Sequence, residues 1–260
     1  MSRQLPSLDL HAHIDPKARP GDLERLGAVV FAATRSLDEF ESVLGRRDQV
    51  TVWGLGCHPG IPNAQSAYDP ARFAELLAST AYVSEVGVDR HSKVALGAQT
   101  EVLASVLDCL QTTPRITSIH SSGAPNTVLD ALDGRSARGA VLHWWRGSAI
   151  QTRRAIELGC RFSVNAAGMK YAADIARIPL DRILTETDHP AGDRGSSLPR
   201  QPGAVGDVES ALAAIYGITS AAVRQQVWSN LVRLVDEVNV DELLPVPVRR
   251  MLAAVRGGAA

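Results

Sequence analysis

Eight short apolar, β-branched runs, separated by longer segments of helical periodicity, constrain this chain more than anything else in it. The runs are Leu8–His13, Val29–Thr34, Thr51–Gly56, Tyr82–Gly87, Ile116–Ser121, Ala140–Trp144, Arg161–Asn165 and Arg182–Thr187. Their apolar character suits strands buried on both faces, as parallel strands are. Helical patterns such as Pro70–Ser79, Gln99–Gln111 and Ser148–Leu158 lie between them. A repeated β-then-α order implies a parallel sheet, and eight units imply an α/β fold closed into a TIM-type (β/α)8 barrel. Beyond the eighth run, Ala204–Tyr216 and Ala221–Glu237 read as helices that close the exterior, and the Gly/Pro/Ser-rich stretch Ala191–Gly206 as a loop near the mouth. A length of 260 residues suits one barrel of ~250 residues, so a single domain over residues 1–260 is expected.

Composition narrows the partners. A formal net charge of −1 excludes a globally basic, nonspecific nucleic-acid binder, although a local basic face remains open. Residues 135–200 hold eleven Arg/Lys against six Asp/Glu, which leads us to expect a basic rim on the second half of the barrel. No apolar run approaches the ~18 residues of a membrane span. The opening MSRQLPSLDLHAHID lacks the apolar stretch of a signal peptide. Cys57, Cys109 and Cys160 stand apart from one another, as buried thiols in a reducing compartment do. A cytoplasmic location without membrane contact is expected.

The chemistry is carried by where the histidines fall. Of seven, five stand at or just beyond the ends of runs: His11, His13, His58, His120 and His143. Strand C-termini form the active-site rim of such a barrel. His11 and His13 are two apart on one strand and so project to the same side. Glu85 lies late on the fourth run, His120 ends the fifth, His143 the sixth, and Asp188 follows the eighth. One such histidine is more often structural than ligating; six candidate ligands at one edge of five strands point to a metal site. Imidazole with carboxylate suits Zn²⁺, Mn²⁺, Fe²⁺ or Co²⁺, whereas pure Mg²⁺ sites usually prefer all-oxygen ligands. Asp9 and Asp15 flank the pair, the first as a strand-end polar residue, the second as an orienting group or a cap. Glu186, two before Asp188, is either a hydrogen-bond acceptor behind the ligands or a contact to substrate or a substrate-borne ion. His189 is placed on the mouth loop, His91 in solvent, and Arg90 in a phosphate contact or a surface ion pair. Of Trp144 and Trp145, alternation points one inward, where it can stack an unpaired base, and one into the helical layer; a buried core role for both is the structural alternative.

The segments DLHAHID, GLGCHPG, VSEVGVDR, SIHSSGA, VLHWWRG, SVNAA and LTETDHP follow one another as in the TatD family of metal-dependent deoxyribonucleases. The chain resembles that family from Leu8 to the segment Trp228–Leu234. The resemblance implies a (β/α)8 barrel and a phosphodiesterase using two divalent cations (Zn²⁺, Mn²⁺ or Mg²⁺). It implies that His11, His13, Glu85 and Asp188 hold one ion, and that Glu85 bridges to a second completed by His120 and His143. His58 would lie near the scissile phosphate, and Asp188 and Glu85 would be the catalytic carboxylates, with Asp188 accepting a proton from water. Where the family often reads H-C-F-S-G, this chain reads His143-Trp144-Trp145-Arg146-Gly147; Arg146 becomes a candidate substrate contact, with a helix cap or a pair with Glu157 as the structural alternative. Within the family, VLHWWRGS, AIELGCRFSV and RILTETDHPAGDRG look most like the TatD-type component of Qat anti-phage defence systems. That likeness implies a DNase, with 3′–5′ exonuclease action on single strands as one mode, and other Qat proteins as partners. Two other readings stay open: a metal-dependent ester hydrolase on the same scaffold, and a nucleic-acid- or partner-binding component with little catalysis. Phosphotriesterase-like relatives usually bridge their metals through a carboxylated lysine on the fourth strand; here that place reads Glu85, with Lys93 several residues beyond.

Overall fold

The computed structural model describes residues 5–135 and 138–258; residues 1–4 and 259–260, the ends of the expected single domain, lie outside the described residues. Eight strands alternate with helices: β1 (Ser7–Ala12), β2 (Ala28–Ala33), β3 (Thr51–Gly54), β4 (Tyr82–Gly87), β5 (Ile116–His120), β6 (Ala140–His143), β7 (Arg161–Val164) and β8 (Ile183–Thr185). Each agrees with its expected run to within two residues at either end. All pairings within β1-β2-β3 and within β4-β5-β6-β7-β8 are parallel. Two seams close the ring. Leu55 bridges to Val83, with its amide donating to the Tyr82 carbonyl and its carbonyl accepting from the Ser84 amide, both at 3.0 Å. On the far side, the Asp188 amide donates to the His11 carbonyl at 2.8 Å and the His13 amide to the His189 carbonyl at 3.0 Å.

The expected helices are present as Pro70–Leu77, Leu96–Thr112, Ala149–Glu157, Gly206–Tyr216 and Ser220–Val238. Local signals explain their starts: Asp69 caps the Ala71 and Arg72 amides, and Ser148 forms a capping box with Gln151. A further helix, Val246–Gly257, follows the expected pair. Its buried Val248, Leu252 and Val255 recur at i, i+4 and i+7, a helical stripe present in the sequence.

The strands carry fully buried apolar side chains, among them Leu8 and Leu10, Val29, Phe31, Val83, Ile119 and Phe162, and the Phe31 ring meets that of Tyr82 edge-on at 5.2 Å. Buried polar side chains lie among them, Asp9, His11, Ser84, Glu85, Ser118, Ser163, Asn165 and Glu186, and hydrogen bonds make their burial tolerable. Asp9 shows how. Its Oδ1 accepts from the Thr187 amide at 2.8 Å and the His11 amide at 3.3 Å, while Oδ2 accepts from Thr187 Oγ1 at 2.6 Å and the Gly203 amide at 2.7 Å. Burial pushes its carboxyl up to about 6 despite those donors. Asp9 therefore ties β1 to the end of β8 and to the mouth loop, which is more than a strand-end polar residue does.

Removing it strands at least two buried amides and a hydroxyl, at ~1–3 kcal/mol each. Asp9→Ala is expected to lose ~3 kcal/mol or more in urea unfolding, and Asp9→Asn, which keeps an acceptor oxygen, distinctly less. Equal, small losses in both variants would show that the seam does not depend on this carboxylate.

Candidate metal centre

Glu85 sits at the centre of five imidazoles. Its Oε1 lies 2.5 Å from His120 Nδ1 and 2.9 Å from His143 Nε2. Its Oε2 lies 3.2 Å from His13 Nε2, 3.2 Å from His58 Nε2 and 3.5 Å from His11 Nε2. The two oxygens thus divide the histidines into two groups, one from β5 and β6, the other from β1 and the segment after β3. Asp188 joins the second group, with Oδ1 at 3.9 Å from His11 Nε2 and 4.0 Å from His13 Nε2. His120 Nδ1 and His143 Nε2 are 3.0 Å apart, and the His11 and His143 rings are stacked at 4.2 Å.

What holds each ring decides which nitrogen faces the centre. His13 Nδ1 lies 3.2 Å from the Ala33 carbonyl, which can only accept, so the proton is there and Nε2 presents a lone pair. His11 Nδ1 meets the hydroxyls of Ser118 and Ser84 at 2.7 and 3.2 Å, and its buried Nε2 has no hydrogen-bond partner. His58 is the opposite case. Its Nδ1 accepts from the Gly60 amide at 2.8 Å, so the neutral ring carries its proton on Nε2 and offers a donor, not a ligand. His120 turns Nε2 toward Asp89 Oδ2 at 3.4 Å, leaving Nδ1 toward Glu85. Gly87, at φ 141, lets β4 approach β5 here; a Cβ would stand 2.1 Å from the His120 carbonyl oxygen.

The electrostatics follow. Burial pulls the His11 imidazole down to about 3, keeping it neutral and able to ligate. Burial also acts against charge on His120, but Glu85 and Asp89 more than offset it and push the ring up to about 10. Burial raises the Glu85 carboxyl, yet His58, His143 and His120 together hold it well below the usual range. Asp188 is raised by burial and by the Glu85 charge. Three overlapping sets have ligand atoms within 4.8 Å of one another: His11, His13 and Asp188; His11, Glu85 and His143; His13, His58 and Glu85. An unpartnered buried Nε2, oriented lone pairs and mixed imidazole and carboxylate donors fit a borderline divalent cation.

The remaining candidates are placed differently. Glu186 has both oxygens engaged: Oε1 accepts from the Trp144 amide at 3.0 Å and Asn165 Nδ2 at 2.9 Å, and Oε2 from the Ser163 hydroxyl. It braces the site's wall, the acceptor role that the sequence leaves open beside a substrate contact. Arg146 is exposed and neither caps a helix nor pairs with Glu157; its guanidinium lies over the Tyr171 ring at 4.3 Å and donates to the Tyr171 hydroxyl. It borders a cleft of ≈ 450 Å³ whose other walls include His91, His120, His143 and Trp144. Trp145 instead packs in the helical layer, donating to Thr152 Oγ1 at 2.9 Å. His189 Nδ1 pairs with Asp193 Oδ2 at 2.6 Å, and Asp15 accepts from the Lys17 amide at 2.9 Å as a turn cap. Lys93 is exposed. Of the arginines expected on a basic rim, Arg135, Arg154, Arg161 and Arg200 pair with Asp108, Asp130, Glu237 and Asp193. The sequence does not single out Asp89, Ser84 and Ser118; only the closed barrel, which brings β4 and β5 across from β1, gives Ser84 and Ser118 His11 to orient, and only the pairing of β4 with β5 brings Asp89 to His120.

The family model described as TatD related DNase matches residues 8–236. This chain belongs to that family. It is 27% identical over 245 residues to YcfH of Escherichia coli K12, named as an uncharacterized metal-dependent hydrolase, covering 86% of this chain and 89% of that protein. The TatD homolog YJJV of E. coli K12 superposes with a TM-score of 0.78 at 23% identity, covering 88% of this chain and 97% of that one. A TatD family hydrolase from Entamoeba histolytica gives 0.73 at 15% identity, covering 90% and 99%. The two structures establish the TIM barrel.

A TatD-family centre of this kind is expected to be stabilised by its ion. At ~100 times its Kd, a bound metal contributes ~2.7 kcal/mol, or a rise of ~5–10 °C in Tm for a chain this size. Thermal melts with Zn²⁺ and Mn²⁺ against EDTA check this, with His13→Asn losing most of the rise. A Tm unmoved by every divalent metal tried would remove the assignment.

Proposed function

We propose that this TatD-family protein is a two-metal phosphodiesterase that hydrolyses DNA, with single strands attacked from the 3′ end as its mode of action. The observation that carries the proposal is Glu85, whose two oxygens face separate groups of imidazoles. One ion would be held by His11, His13, Glu85 and Asp188, and the other by Glu85, His120 and His143. When bound, such cations supply Lewis-acid stabilisation of phosphate charge and lower the pKa of water. The family's description as a DNase supports the nucleic-acid substrate. The likeness of VLHWWRGS, AIELGCRFSV and RILTETDHPAGDRG to Qat components supports a place in cytoplasmic anti-phage defence beside other Qat proteins. One domain performs this in our reading. No described helix is long and apolar enough to cross a membrane.

The chain's own groups have separable tasks. Asp188 Oδ1 faces the His11 and His13 side of the centre, where a carboxylate accepts the proton of an attacking water. Asp188 adopts a left-handed φ of 43, a conformation that costs ~1–3 kcal/mol and is held by its amide donating to the His11 carbonyl at 2.8 Å. His58 offers its Nε2 proton toward a phosphate oxygen, a task its Gly60 contact prepares. Arg146 stands on the rim, the substrate side of the same cleft.

Release of nucleotides from 3′-end-labelled single-stranded DNA, with Mn²⁺ and with EDTA, tests the reading. Asp188→Asn keeps the shape and removes the proton acceptor, so kcat should fall ~10²–10⁴-fold. Activity within about threefold of wild type at matched metal content would exclude Asp188 from the chemistry.

A further inference from the structure

The turn after β6 separates two cavities. On one side is the cleft of ≈ 450 Å³ that reaches His120 and His143. On the other is a pocket of ≈ 100 Å³ whose lining includes Asn165, Gly168, Tyr171 and Ile175. Trp144, Arg146 and Gly147 border both. We propose that the Arg146–Tyr171 stack on this ridge is a subsite for an unpaired nucleobase, next to the phosphate that lies over His120 and His143. The inference rests on the phosphodiesterase reading and adds what selects the strand.

Four observations support it. First, the guanidinium is held in place before any ligand arrives, 4.3 Å over the Tyr171 ring and bonded to its hydroxyl. An arginine plane so fixed presents its free face for stacking with little ordering cost. Second, among the described residues no carboxylate pairs with Arg146, so the protein does not already neutralise its charge. Third, the pocket behind it is lined mainly by aromatic, apolar and glycine residues, which suits a heteroaromatic ring better than a second phosphate. Fourth, Trp144 immediately follows His143, so a nucleotide bound by phosphate over that histidine has its base beside this ridge. The ridge is itself braced: Trp144 takes a left-handed φ of 41, and its amide donates to Glu186 Oε1 at 3.0 Å. Glu186 also accepts from Ser163 and Asn165 in the pocket wall, which makes it a positioning residue for the subsite.

Binding separates this from catalysis. The probes are 5′-labelled thymidine trinucleotides, intact or abasic at the 3′-terminal or the penultimate nucleotide, titrated by anisotropy into the full-length protein in EDTA. The intact strand should bind about tenfold more tightly than at least one abasic strand. That ratio should collapse toward one in Arg146→Ala and Tyr171→Ala and persist in Tyr171→Phe, with thermal melts confirming that each variant folds. Equal wild-type affinities for all three strands would overturn the subsite. So would an Arg146→Ala protein that weakens intact and abasic strands equally, which would assign the arginine to phosphate. A Mn²⁺-loaded wild type that leaves labelled DNA intact would instead sink the phosphodiesterase reading, whatever the binding ratio.

Discussion

A single buried carboxylate, Glu85, sets the terms for the rest of the barrel. It is 1% exposed and stands among five imidazoles from β1, β5, β6 and the segment after β3. Burying a charge is tolerable only where partners surround it, and here the partners are also the groups able to bind cations. Their rings must be aimed as well as present. The Ala33 carbonyl, the Ser84 and Ser118 hydroxyls, the Gly60 amide and Asp89 each hold one ring's far nitrogen. Such outer contacts commonly govern metal affinity as strongly as the ligands do. They also explain why buried hydroxyls and carboxylates cluster around these rings.

How much of this is legible in sequence depends on whether the signal is local. The eight strands are legible because burial on both faces leaves unbroken apolar runs such as Ala28–Ala33. His11 and His13 are legible as a pair because alternation puts them on one side of β1. Ser118 is not, since nothing in ITSIHSS reveals that β5 faces His11 across the barrel, 107 positions away in sequence. Glu186 is open between two roles in the sequence, and only the folded chain brings it the three donors from the ends of β6 and β7. Surface charge is hard to read from a window for a related reason. Charge counted over residues 135–200 omits Asp108, Asp130 and Glu237, two of them in that window's neighbouring helices and the third in the helix Ser220–Val238, all folded against those arginines.

Strain is concentrated where ligand strands end. Asp188 and Trp144 take left-handed backbone conformations, which non-glycine residues rarely adopt without compensation. Both are held by a hydrogen bond to their amide, one from the β1 seam and one from Glu186. The first conformation turns a carboxylate toward the His11–His13 pair. The second turns the chain sharply after His143, so that Trp144 borders the cleft while Trp145 returns to the helical layer. The Glu186 carboxylate, with no pocket of its own, therefore connects the ligand strand to the wall beside it.

This division of labour follows from the barrel. Ligands carried on strands are fixed by the parallel ladder and the closure seams, and they cannot move without disturbing register around the ring. Residues on the loops after β6 and β7 are fixed by side-chain contacts, such as Arg146 on Tyr171 and the donors to Glu186, rather than by the ladder. A change there alters what the mouth accepts and leaves the Glu85 cluster in place. The departure from the family's usual sequence falls in that loop, at Trp144 to Arg146, and not among the six ligand candidates. The strand-borne cluster and the loop-borne wall beside it are thus separate parts of the fold, as scaffold and grafted site are in such barrels.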